Sequence, residues 1–93
     1  FSTCQSLTSL DLSSFNTSKV TNMSNMFNSS KKIRTEINIM NANVPEYRDM
    51  FYNAATDPTA KIVVNYITDA GHLVDQMIAT KASNSNVVKG KQI

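Results

Sequence analysis

The sequence predicts an α/β solenoid, with short parallel strands on one face and short helices on the other, over about three to three and a half repeats. Three observations predict it. A Met followed by a bulky apolar residue recurs as Met26-Phe27, Met50-Phe51 and Met77-Ile78. An apolar triplet precedes each pair, as Leu10-Asp11-Leu12, Ile37-Asn38-Ile39 and Ile62-Val63-Val64. Both markers recur with a period of roughly 25 residues, as leucine-rich repeats do. Turn-rich stretches follow the pairs or divide the units, at Asn28-Ser29-Ser30, Asp57-Pro58-Thr59 and Ser83-Asn84-Ser85.

Each triplet places apolar residues two apart with a different residue between them, the alternation of a short strand buried on one face. Val87-Val88 lies one further period beyond Ile62-Val63 and predicts a last strand. The Met-led pairs belong to an apolar series at i, i+3, i+4 and i+7, which lines one face of a helix. Val20, Met23 and Phe27 form the first series, Val44, Tyr47 and Phe51 the second, and Gly71, Val74 and Ile78 the third. Short helices are therefore expected to end at Phe27, Phe51 and Ile78. Thr17 and Ser18, then Asn43, then Thr68 and Asp69 are the expected N-caps. Pro45 suits a first helical position, where its missing N–H costs nothing. The units run over residues 1–27, 28–51 and 52–79, and residues 80–93 form a C-terminal cap with the last strand. A lone unit cannot bury both its strand face and its helix face, but stacked units can. The result is a single domain of leucine-rich-repeat type.

Composition narrows the function classes. The chain has 93 residues, enough for one small domain with a thin core. Charged residues make up 17%, below the usual quarter, and Ser, Thr and Asn together fill a third of the chain. A net charge of +2 does not by itself imply a polyanion partner. No stretch reaches the roughly 18 apolar residues of a membrane span. One cysteine, Cys4, excludes an internal disulfide framework and a cysteine-based zinc site.

Residues 1–30 carry a closer likeness. Phe1, Cys4, the run Leu7-Thr8-Ser9-Leu10-Asp11-Leu12-Ser13, Phe15-Asn16-Thr17-Ser18, Val20-Thr21-Asn22-Met23 and Met26-Phe27 match the pattern MF..C.SLTSLDLS.FDTS.VTNM..MF. This stretch resembles the BspA-like leucine-rich repeats of bacterial surface proteins. Over residues 31–93 only the apolar skeleton is kept, as a capping repeat requires when its outer face meets water. The chain is accordingly expected to be the C-terminal part of a longer array. The resemblance implies an extracellular or cell-surface scaffold for adhesion and protein binding, without catalysis.

The single residues that invite chemistry have plainer readings. His72 has no Cys or His partner at ligand spacing, so a solvated or capping role is expected, with no metal and no cofactor. Cys4 reads as a packed thiol. Met23, Met26, Met50 and Met77 fall on the apolar repeat and read as core, whereas Met40 follows the second strand where Ser13 follows the first. Lys31, Lys32 and Arg34 form a short basic cluster, and the stretch from Lys81 to Ile93 holds three lysines, Lys81, Lys89 and Lys91, and no acid. Glu36, Glu46 and Asp49 interrupt the basic character, so a solvated face is expected and nucleic acid is not. Three Asn-x-Ser triplets match the glycosylation acceptor, a match that chance supplies in so Asn- and Ser-rich a chain.

The candidate binding surface follows from strand alternation. With Leu10 and Leu12 inward, Ser9, Asp11 and Ser13 face out, joined by Glu36, Asn38 and Met40 and then by Lys61, Val63 and Asn65. Stacking of the triplets makes Asp11, Asn38 and Val63 neighbours. Solenoids bind through such extended faces. The expected partner is a protein or glycan on another cell or matrix, with no membrane insertion and with self-association through the N-terminal repeat edge. The rival role is a structural spacer or terminal cap of an adhesive fibre or phage-tail-like appendage, making only self contacts.

Overall fold

The computed structural model describes residues 17–93. The strand expected at Leu10–Leu12, and with it Cys4, Ser9, Asp11 and Ser13, lies outside the described residues. The rest is a small mixed α/β structure of strands β1 (Arg34–Ile39), β2 (Lys61–Tyr66) and β3 (Val87–Gln92) and one helix, α1 (Gly71–Ile78). A single 3-10 turn, Thr68–Ala70, leads into α1. The strands form one parallel sheet in the order β1-β2-β3.

All three expected strands within residues 17–93 are present, and the inward assignments hold: Ile37, Ile39, Ile62 and Val64 are buried. Their register differs from the one the triplets suggest. Ile37 pairs with Val64 and Asn38 with Asn65, where triplet matching would pair Ile37 with Ile62. A slip of two positions keeps every side chain on its face, so the apolar pattern does not choose between the two registers. Consequently Val63 stands beside Glu36, and not beside Asn38 as the triplet alignment has it.

The first two expected helices are absent. Residues 24–29 and 48–55 form chains of turns instead. The cause is visible in the backbone. Asn25 and Ser29 have positive φ, of 59° and 63°, and Asp49 and Asn53 of the next unit repeat this at 53° and 54°. A left-handed residue breaks the i to i−4 ladder, and Asn and Asp adopt that conformation more easily than most. Amides therefore split into two alternating sets. Met26, Asn28 and Ser30 donate to the carbonyls of Met23, Asn25 and Phe27, closing tight turns at 3.2, 3.2 and 3.0 Å. Met23, Asn25, Phe27 and Ser29 donate sideways to Glu46, Arg48, Met50 and Tyr52 of the next segment, at 2.7 to 2.9 Å. The second segment repeats the inner turns, with Met50, Tyr52 and Ala54 donating to Tyr47, Asp49 and Phe51.

The caps also differ from expectation. Thr17 is fully buried, and its hydroxyl donates to the Asn38 carbonyl at 2.6 Å while accepting from the Met40 amide at 2.8 Å. It ties the described N-terminal segment to the end of β1. Neither Thr68 nor Asp69 caps α1, whose N-cap position makes no side-chain hydrogen bond. The segment Gly71–Ile78 folds as a regular helix because His72, Leu73, Val74, Gln76 and Met77 need no left-handed backbone and include good helix formers. Its backbone groups are used within the helix. Just beyond its end, the Thr80 hydroxyl bonds back to the preceding segment, accepting from the Phe51 amide at 2.9 Å and donating to the Met77 carbonyl.

The core lies between the inner sheet face, the turn segments and α1. Met23, Phe27, Met50, Phe51, Val74 and Met77 are buried there with the inward strand residues, so the Met-led series supplies core as expected. Met26 is only partly buried, and Met40 is exposed. The Phe27 and Phe51 rings stack with centroids 5.7 Å apart and planes 3° from parallel. Beyond the buried area, such a pair contributes about 0.5–1.5 kcal/mol.

The left-handed turns make a direct prediction. Asn25→Gly should leave stability nearly unchanged, whereas Asn25→Val should cost about 1–2 kcal/mol, because a β-branched residue resists positive φ. Urea denaturation of both variants checks this, and equal stability of the two would contradict it.

Candidate binding face

Outward positions of the three strands form one continuous face. Glu36, Val63 and Val88 make one rung, and Arg34 and Lys61 make another at the start of β1 and β2. Glu36 and Lys61 are exposed, Met40 is 39% and Val88 41% exposed, and Asn38 and Val63 are half-buried. Among the expected face residues within the described part, the structure thus brings Glu36, Asn38, Met40, Lys61 and Val63 to one accessible surface.

Asn65 is the exception. It sits on the expected face but only 2% of it is accessible. Its Nδ2 donates to Glu36 Oε1 at 2.5 Å and to Asn38 Oδ1 at 3.0 Å, and its Oδ1 accepts from the Lys91 amide at 3.0 Å. Asn65 therefore joins all three strands and is a structural residue, not a contact residue. The covering chain belongs to β3, which is irregular between the partners of Val64 and Tyr66. Gly90 makes this close approach possible. A Cβ there would overlap Asn65 Oδ1 and stand 2.7 Å from Val63 Cγ1. Atoms cannot approach so closely, so the backbone passes over Asn65 only as glycine.

On the inner side of β3, Lys89 closes the sheet edge. Its Nζ lies 3.0 Å from Asp75 Oδ1 of α1 and 5.0 Å from the centre of the Tyr66 ring. Both contacts are partly exposed, so each is worth well under about 1 kcal/mol. At the strand starts, a cavity of about 460 Å3 opens between Arg34, Lys61 and Lys81. Arg34 and Lys61 come together through the β1–β2 register, a signal that strand matching in the sequence carries but composition does not. Next to this cavity, Asp57 holds the turn before β2. The Thr59 amide and hydroxyl donate to Asp57 Oδ1 at 3.0 and 2.8 Å and, with Lys32 nearby, hold its carboxyl below the ordinary carboxylate value.

Among the described residues, those considered for chemistry show no convergent arrangement. His72 is exposed, and its Nε2 lies 3.3 Å from Gln76 Nε2 within α1, while Tyr47 donates to Gln76 Oε1 at 2.9 Å. Among the described residues, no group of three His, Cys, Asp or Glu side chains is placed to share a metal ion. No described helix is long and apolar enough to cross a membrane.

Asn65 and Gly90 act as a pair, which gives a prediction. Asn65→Ala leaves the Lys91 amide and Asn38 without their partner and should cost about 1–3 kcal/mol. Gly90→Ala should destabilise as well, by forcing β3 away from β2. Thermal denaturation of the two variants measures this, and an unchanged Tm in both would mean that the close approach is not structural.

No curated protein and no solved structure matches the chain. One family model matches residues 1–89, almost the whole sequence. On that match, the chain belongs to the family described as Mycoplasma protein of unknown function, DUF285.

Proposed function

We propose that the chain is a non-catalytic binding module, a leucine-rich-repeat solenoid of BspA-like type displayed at a bacterial cell surface, which adheres to a protein or glycan on another cell or matrix. The observation that carries this reading is the outer sheet face. Parallel sheets are normally covered on both faces by helices. Here α1 and the turn segments pack on the inner face, while Glu36, Met40, Lys61 and Val88 remain exposed on the outer one. The repeated turn geometry at Asn25 and Asp49, and at Ser29 and Asn53, supports a stack of like units. Membership of the family over residues 1–89 agrees with the repeat reading. A mixed face of short polar and apolar side chains suits hydrogen bonding and shallow apolar contact with a partner surface.

The second reading is a terminal cap or spacer that makes only self contacts. One observation favours it: α1 spends its backbone bonds internally and so offers few groups to a further segment. A cap and a binding face are compatible, since the former closes the stack along its axis and the latter lies at right angles to that axis.

The test is binding of the full chain to arrays of matrix proteins and glycans, with light scattering alongside. The expected result is a monomer with saturable binding to at least one array member. Met40→Arg combined with Val88→Lys, both at exposed positions, should weaken that binding more than about tenfold without lowering the Tm. Undiminished binding by the double variant, or a defined oligomer with no binding, contradicts the proposal.

A further inference from the structure

We propose that the cavity at the strand starts is an anion-binding subsite, and that its ligand is a carboxylate-bearing sugar. The cavity measures about 460 Å3, within the usual range of small-molecule sites. Arg34, Lys61 and Lys81 line it, and no carboxylate does so among the described residues. Arg34 and Lys61 are direct register partners on adjacent strands, an arrangement of like charges that destabilises a sheet unless something offsets it. Nothing described does so. The described ion pairs join Arg48 to Asp49 and Lys89 to Asp75, and leave these three cations out. The nearby acidic residue of the turn before β2, Asp57, is turned to Thr59. Arg34 gives one N–H to the Thr59 carbonyl, which fixes the guanidinium and leaves its other donors for a ligand.

A second observation points to a missing partner. Ser85 also lines the cavity, and only 6% of the residue is accessible. Its hydroxyl is buried and has no hydrogen-bond partner among the described residues. A buried hydroxyl left unpaired costs free energy, and native structures keep few of them. Rotation of the short Ser85 side chain toward the cavity would bring that hydroxyl to a ligand oxygen there.

The walls select the body of the ligand. Pro58 and Val88 are exposed and present apolar surface beside the cations. A bare inorganic anion gains nothing from that surface, whereas the C–H face of a sugar ring does. Three donors from separate segments, one of them a planar guanidinium, suit a carboxylate carried on such a ring. The subsite adjoins the outer sheet face, but its argument does not depend on surface display or on the adhesion reading.

The experiment is an NMR titration of the full chain with sodium glucuronate, with glucose and sodium sulfate as comparison probes. Glucuronate should give saturable shifts at the Lys61, Ser85 and Val88 amides, and glucose should not. Lys61→Gln and, separately, Arg34→Gln should each weaken glucuronate about tenfold, the loss expected for one charge-assisted hydrogen bond. Ser85→Ala should weaken it too. Amide spectra unchanged away from the cavity show that the variants still fold. Absence of saturable shifts, equal affinity in the charge-removed variants, or equal response to glucose overturns the site. Sulfate binding as tightly as glucuronate overturns the sugar assignment.

Discussion

The alternate amides of Met23, Asn25, Phe27 and Ser29 reach across to the next pass of the chain, and most of the structure depends on that. Positive φ at Asn25 and Ser29, repeated at Asp49 and Asn53, turns the backbone so that its hydrogen-bonding groups divide between the local turn and the neighbouring segment. An α-helix would have kept them all. Lateral bonding holds the turn segments at sheet-like spacing, in step with the strands on the other side of the core. The stacked rings of Phe27 and Phe51 and the paired strands β1 and β2 are two results of that one spacing. With a charged fraction of only 17% and a thin core, a chain of this size draws much of its order from backbone pairing.

Where the lateral ladder stops is equally informative. Along the second segment, the Phe51 amide finds a side chain, the Thr80 hydroxyl, where the first segment's Phe27 amide found a backbone carbonyl. Helix α1 marks a change of bonding scheme along the stack. On the sheet side, β3 carries Lys89, Gly90, Lys91 and an irregular register, features that discourage pairing by a further strand. Both layers thus alter at the same end of the molecule.

The sequence made the strands and their faces legible, because alternation at Ile37 and Ile39 and at Ile62 and Val64 is a local signal. It did not reveal the register, since sliding one strand by two positions preserves that alternation. It made the apolar anchors legible but not the backbone between them. Val20, Met23 and Phe27 satisfy helical spacing, yet the intervening Asn25 has a left-handed backbone, and tight turns also bring every third or fourth residue inward. The Asn, Ser and Asp residues flanking the Met-Phe pairs carried the contrary signal, as poor helix formers that compete for backbone groups. Asn65 was placed on the correct face, but its burial comes from Gly90 of the following strand, which no local pattern around Asn65 announces. The basic cavity joins Arg34, Lys61 and Lys81 from separate segments, and only the folded register assembles them.

The lateral ladder is open to one decisive measurement. Through-hydrogen-bond scalar couplings in an isotopically labelled sample report which carbonyl each amide contacts. The Phe27 amide should couple to the carbonyl carbon of Met50, its partner at 2.9 Å. A coupling to the carbonyl of Met23 instead, as the i to i−4 bond of an α-helix requires, would contradict the account.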